Sequence, residues 1–390
     1  MRVLHLVKTG VGAVWAQRQI EVLHRMGVDV HVALPDGPRA ADYRASGIAV
    51  HPTSPGLVPT RPSTWPVAVR TVRELVDRIR PDLVHSHFVD TTLAMRAALW
   101  ASGPPRVFQV PGPLHLERAP TRWIELATAT DRDHWIASCG WVRERYLRSG
   151  LPERRVHLSH YGTDTARFAV AGGAGSLRAE LGLAPSTALI AMVAHFYAPK
   201  RYLGQTRGIK GHEDLIHAAA RLVGAGHDLH VVFAGGPWDG ADTYAVEVRA
   251  LAAAVLPGRH TFLGLRDDIP AIYASADLAV HPSASENLGG AAESLLAGVP
   301  TVATRVGGFP DVVRPGRTGW LAAPRDPVSL AAAIGDALAD RERAARYAAA
   351  GRVLARELLD VDRTAGEVAA IYDRIMARQL PRPPRSPRTS

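Results

Sequence analysis

AVHPSASENLGGAAESLLAGVPTVATRVGGFPDVV, Ala279 to Val313, decides how the rest of the chain is read. The apolar run Leu278 to Val280 gives way at Pro282 to a polar loop, and the small residues from Ala291 to Ala297 then read as a helix. Gly298 followed by Pro300 is its stop signal. A strand at Thr301 to Ala303 runs into the Gly307-Gly308 loop. A helix that opens on Gly289 and Gly290 exposes unpaired backbone N–H groups with no side chain in the way of an anion, and diphosphate suits such a place. Glu286 and Glu293 bracket it. A carboxylate is a poor phosphate partner but accepts two hydrogen bonds from a sugar's vicinal diol. Phosphate between two sugars describes a nucleotide sugar. A Gly-Gly pair that only makes a turn, with two glutamates nearby by chance, is the alternative on residue types alone.

The 390 residues are enough for two domains of ordinary size, and 47% hydrophobic with 21% charged residues is the balance of a soluble globular protein. The one cysteine, Cys139, permits no internal disulfide and fits a reducing compartment. The first strand, Val3 to Val7, is cut off by Lys8, and no apolar run reaches the ~18 residues of a membrane span. These features place the chain in the cytoplasm. Part of the net charge of +9 sits in a Pro/Arg-rich tail over 377–390, with Arg378, Arg382, Arg385 and Arg388, which is expected to be disordered. Discounting it leaves a moderately basic globule, no recognition helix or aromatic platform accompanies that charge, and nucleic acid is not an expected partner.

The opening 35 residues alternate strand, glycine loop, amphipathic helix and strand, a βαβ unit that sets up a parallel sheet. Gly10-Val11-Gly12 lies at the first strand–helix turn, but Trp15 occupies the third glycine position of a dinucleotide fingerprint, which counts against a nicotinamide oxidoreductase. A phosphate-facing loop and an empty tight turn stand as equal readings of Gly10 and Gly12. Alternation continues to Arg155 to Ser159, giving a first doubly wound domain over 1–168 whose ligands belong beyond the carboxyl ends of its strands. AVAGGAGS, Ala169 to Ser176, reads as a flexible linker. A second domain of the same kind spans 177–358, and a last helix, 361–376, follows. Lys210 precedes a helix N-terminus, where its charge can join the dipole in holding diphosphate. His85-Ser86-His87 and His115 lie at strand ends; a metal at His-x-His is discounted because Asp90 is the one acid nearby. Asp131-x-Asp133 and Asp360-x-Asp362 stand apart from the donor motifs, so no metal or other cofactor is expected.

The stretch from Glu286 to Pro310, with ESLLAGVP at Glu293 to Pro300, resembles the signature of family 4 retaining glycosyltransferases, also called group 1. KGHEDLI from Lys210 and YGTD...F at Tyr161 to Phe168 are similar to two more of its elements. The resemblance implies an α/β GT-B fold of two Rossmann-like domains facing across a cleft, with the last helix returning to the first domain. It also implies retaining, metal-independent transfer of a hexosyl or N-acetylhexosaminyl group from a UDP-sugar to an acceptor hydroxyl. The acceptor would be a small secondary metabolite or a lipid-linked or envelope glycoconjugate. The implied catalytic set is Lys210, Glu286, His115 and Arg207, and the donor-binding set adds Gly10, Gly12, His195, Gly264, Leu265, Arg266, Asn287, Leu288, Gly289, Gly290 and Glu293. Three departures qualify it. Six residues rather than seven separate the glutamates, putting Ser285 in the family register of the first. Pro111-Gly112 replaces a His-Gly pair, leaving His115 as a displaced stand-in. His195 replaces an arginine, for which Arg207 or Arg201 in the long 196–208 connection would substitute. An epimerase of the same architecture is the alternative function. The basic helix Trp65 to Arg80 leaves open a peripheral contact with the inner membrane face, and the chain is expected to be a monomer or homodimer.

Overall fold

A computed structural model describes residues 1–168, 176–199, 201 and 205–378, so linker residues 169–175, Lys200 and the tail from 379 lie outside the described residues. The first half builds β1 (Arg2–Leu6), β2 (Asp29–Leu34), β3 (Ala49–Pro52), β4 (Leu83–Ser86), β5 (Arg106–Gln109), β6 (Asp133–Ala137) and β7 (Val156–Leu158). They form one sheet in the order β3-β2-β1-β4-β5-β6-β7. Every pairing in it is parallel. The second half builds β8 (Ala188–Val193), β9 (Leu229–Ala234), β10 (His260–Gly264), β11 (Leu278–His281), β12 (Thr301–Thr304) and β13 (Trp320–Ala322). Their order is β10-β9-β8-β11-β12-β13, again all parallel. The central strands are mostly apolar, as burial on both faces requires, with histidines interrupting β1, β4 and β9. The order in which strands are added reverses at β1/β4 and at β8/β11, and such switch points open crevices at the carboxyl ends of the strands.

The last helix, Val361–Ala377, returns to the first sheet. Its Val368, Ile371, Tyr372 and Ile375 share a core with Ile20 and Leu23 of the helix Val14–Arg25. No described helix is long and apolar enough to cross a membrane. The basic helix, Trp65–Ile79, commits part of its charge: Arg73 donates to the Ala98 carbonyl at 2.5 Å and Arg70 pairs with Glu74 at 3.7 Å.

Under the last helix lies a histidine cluster. β1 and β4 pair His5 with His85, and His87 follows on the same side. All three are fully buried. Tyr161 donates its hydroxyl to the Gln109 carbonyl (3.1 Å), so it accepts from His87 Nδ1 (3.0 Å), and His87 Nε2 in turn accepts from His5 Nδ1 (2.9 Å). His85 Nδ1 meets the Tyr372 hydroxyl at 2.5 Å. His5 thus adds a third imidazole to the His-x-His pair, and one ligand atom from each lies within 4.8 Å of the others. The rings of His5 and His87 are stacked 15° from parallel, and Nε2 of His5 and of His85 is buried without a hydrogen-bond partner among the described residues.

Burial lowers His5 to about 3 and holds His85 and His87 well below the ordinary value. In the unfolded chain these rings titrate near 6.5, so above that pH neither state takes up their protons and stability is complete. Below it the unfolded chain binds protons that the folded chain refuses, and each such ring costs up to about 1.4 kcal/mol of stability per pH unit. The urea midpoint is therefore expected to drop steeply between pH 6.5 and pH 4. A midpoint flat over that range would contradict the neutral cluster.

Candidate active site

A cavity of about 520 Å³ opens at the carboxyl ends of β8 and β11, the second switch point. It is lined by His195, Tyr197, Lys210, Leu265, Arg266, His281, Glu286, Gly289, Gly290 and Glu293, among others. Lys210 enters from the loop before the helix His212–Gly224, and Glu286 from the loop after β11. The two form an ion pair. Burial works against the ammonium, but the charge and hydrogen bond of Glu286 outweigh it and hold Lys210 above its ordinary value, so the lysine is cationic at neutral pH. Two close approaches lock these loops together. A Cβ on Gly211 would run into the Pro282 carbonyl, and one on Gly307 into the carbonyl of Glu286.

The helix Gly289–Leu296 begins at the cavity with no side chain capping its first amides. Those amides and the ammonium of Lys210 supply the positive side of the site. Glu293, one turn into the same helix, has its carboxyl pushed up by burial against the pull of Arg167 and Arg18. Tyr197 lies beside Lys210, whose Nζ is 5.6 Å from the ring centroid. His281 is buried, bonded through Nε2 to the Ser294 hydroxyl at 2.9 Å and lowered by burial to about 3. The site thus offers anion-binding groups at its centre and carboxylate acceptors on two sides.

Of the residues expected from sequence, Lys210, His195, Leu265, Arg266, Glu286, Gly289, Gly290 and Glu293 line this one cavity. Others stand elsewhere, each for a physical reason. Arg207 pairs with Asp214 and donates to the Arg325 carbonyl at 3.2 Å, behind the Lys210 loop. Arg201 reaches Glu247 at 3.4 Å on the surface. Both are outside the lining, so the guanidinium expected from them is not in the cavity. His115 is buried with both ring nitrogens bonded, Nε2 to Tyr146 at 2.9 Å and Nδ1 to the Gly112 carbonyl at 3.2 Å, and burial lowers it to about 4. It serves the first domain's core. Gly10 packs against the backbone of Pro35 and Asp36, the tight-turn reading of that loop, and neither it nor Gly12 lines the cavity. Gly264 ends β10 in a left-handed turn, φ 69°, and aims Leu265 and Arg266 inward without lining the space itself. Leu288 is buried in the core against Ala292 and Phe309, and the Asn287 backbone packs on Gly308. Ser285, the family-register position, bonds Glu117 of the first domain at 3.1 Å while Glu286 faces the cavity.

Sequence reasoning passed over Tyr197 and His281. His281 is the last residue of β11, and the strand-end rule that selected His195 selects it equally. Tyr197 lies in the long 196–208 connection, where no motif sets a tyrosine apart.

Two family models match the chain: Glycosyltransferase Family 4 over residues 12–167 and Glycosyl transferases group 1 over 201–353. The chain belongs to the family 4 glycosyltransferases. It is 30% identical over 277 residues to the D-inositol 3-phosphate glycosyltransferase of Nocardia farcinica, covering 69% of this chain and 56% of that one. It is 33% identical over 181 residues to the 2-deoxystreptamine glucosyltransferase of Streptomyces kanamyceticus, 46% of each chain. The chain spans about half the length of the curated relatives it matches. The crystal structure of Anabaena HepE with UDP and glucose superposes with a TM-score of 0.78 at 21% identity, covering 96% of this chain and 99% of that one. The architecture is the two-lobed GT-B fold.

Gly289 has φ +36°, and a Cβ there would stand 2.9 Å from the Glu286 carboxyl carbon. Gly289→Ala is expected to displace Glu286 and tilt the first amides. UDP measured by calorimetry should bind about tenfold more weakly, the equivalent of one lost charge-assisted hydrogen bond.

Proposed function

We propose that the chain is a glycosyltransferase that moves a hexosyl or N-acetylhexosaminyl group from a UDP-sugar to an acceptor hydroxyl. The observation that carries this reading is the meeting of Lys210, Glu286, Glu293 and the uncapped amides at Gly289 and Gly290 in one cavity. The diphosphate takes the amides and the ammonium, Glu293 the ribose diol, and Glu286 a hydroxyl of the transferred sugar. Binding therefore exchanges one anion for another at Lys210: phosphate oxygen replaces the Glu286 carboxylate, which is released to accept from the sugar.

In the transfer, the bond from the anomeric carbon to the phosphate oxygen breaks and the acceptor oxygen forms a bond to that carbon. The acceptor's proton passes to the departing phosphate, which leaves as nucleoside diphosphate. No lining carboxylate is assigned as a nucleophile, and attack on the face the phosphate leaves gives retention. Charge developing on the leaving group is met by Lys210 and the helix amides, fixed before reaction. The reaction is proposed to need no metal, because neither Asp-x-Asp pair serves the cavity. Asp133 is buried between Arg96 and Arg106, Asp360 caps the helix Val361–Ala377, and Asp362 pairs with Arg25. The acceptor is a polyol or aminocyclitol-like small molecule or a lipid-linked glycoside, and the compartment is the cytoplasm.

Incubation with a panel of UDP-sugars, then with acceptors on the best donor and readout by mass spectrometry, tests the reading. UDP release with a glycosylated acceptor, unaffected by excess chelator, is expected. Release of a new nucleotide sugar without acceptor would instead establish an epimerase. Lys210→Ala should lower kcat by about 10²- to 10³-fold, the size of losing one charge-stabilising group.

A further inference from the structure

The segment that presents Lys210 is held from behind by groups that do not touch the cavity. Arg325 lies just past β13, in a left-handed turn at φ 60°, and the following Asp326 caps the helix Pro327–Ala339 through the Val328 and Ser329 amides. From that anchored start its guanidinium donates Nη1 to the Gly208 carbonyl at 2.8 Å and Nη2 to the Arg207 carbonyl at 3.1 Å. Asp214, nearly fully buried, pairs with Arg207 and lies 3.9 Å from Arg325. Glu213 Oε1 accepts from the Gly208 amide at 3.1 Å, and the Ile209 carbonyl accepts from the Ala284 amide at 2.8 Å. The backbone on the amino side of Lys210 is thus tied at successive residues, and two of the ties come from one side chain 117 residues beyond Gly208.

We propose that Arg325 is a positioning residue for Lys210. Its planar fork holds the carbonyls of Arg207 and Gly208 together, which sets how far the following lysine reaches into the cavity, and Asp214 keeps Arg325 and Arg207 side by side despite their like charge. This rests on the donor-binding role proposed for Lys210. Positional precision of this kind matters because a misplacement of about 1 Å can cost as much as 10²-fold in rate.

The test uses Arg325→Gly and Arg325→Lys in the full chain. Glycine accepts φ 60° without a Cβ penalty, so Arg325→Gly removes the fork without straining the turn. Lysine keeps the charge for Asp214 but cannot hold two carbonyls in one plane. Both variants are expected to keep a cooperative thermal transition within a few degrees of the wild type. Both should bind UDP about tenfold more weakly, with kcat/KM for the sugar donor falling about ten- to hundredfold. In a Lys210→Ala background Arg325→Gly should add less than a further twofold, because contacts acting through one group are not additive. Three results would overturn the inference: wild-type affinity in Arg325→Gly, full recovery in Arg325→Lys, or additive losses with Lys210→Ala. Wild-type chain that binds no UDP would sink the donor-site reading instead, a result visible before any variant is made.

Discussion

Two charges of opposite sign, drawn in from water on two different loops, are the constraint on which the second domain's site depends. Removing Lys210 and Glu286 from solvent is costly, and each is tolerable because it has the other. The pairing also keeps the site responsive. On the proposed reading, a diphosphate that brings two or more negative charges outbids a single carboxylate for the ammonium, and the carboxylate set free becomes an acceptor for a sugar hydroxyl. On the proposed reading the exchange needs no change of fold, only a change of hydrogen-bond partners.

The loop holding Glu286 is also where the two domains meet. Asp311, just after the Gly307-Gly308 turn that supports the Glu286 carbonyl, accepts from the Gly140 amide at 2.8 Å and meets His160 Nε2 at 2.9 Å, both in the first half of the chain. A carboxylate placed at the first residue of the helix Gly140–Arg148 complements that helix's dipole. Ser285 adds its bond to Glu117. Any shift of one domain against the other is therefore felt one residue from Glu286. The two domains are joined by the segment that also carries Glu286.

What could be read from sequence followed from how local the signal was. Parallel strands of Val, Ile and Leu and helices opening on glycine declare themselves within a few residues, and Lys210, Glu286, Gly289 and Glu293 sit at element ends that the pattern marks. The short strands β3 and β13 carry too few apolar residues to stand out, and pairing with a neighbour is what makes them strands. His115 and Arg207 went wrong for another reason. A histidine at a strand end and an arginine in a loop beside a lysine have the same local signature whether they face ligand or core. Tyr146 and Asp214 decide the matter, and at Asp214, 7 residues from Arg207, proximity in sequence did not reveal which way the arginine turns. The His5 contribution to the buried histidine cluster is the same problem at longer range, since only sheet register brings it beside His85.

The arginine lost at His195 need not be replaced by another cation in the cavity. A guanidinium at that position would act on diphosphate directly. Here the guanidiniums of Arg207 and Arg325 lie one layer back, their charge partly offset by Asp214, and their hydrogen bonds tie the backbone that carries the lysine. Inside the cavity the positive and donor groups are Lys210, the helix amides, the Tyr197 phenol beside the lysine and Arg266. Arg266 is itself held by Asp268 at 2.7 Å and Glu180 at 3.0 Å, so it contributes less free charge than its formal +1. The site thus relies on placement more than on charge count, and on the proposed reading the strength of donor binding turns on how rigidly one lysine is presented.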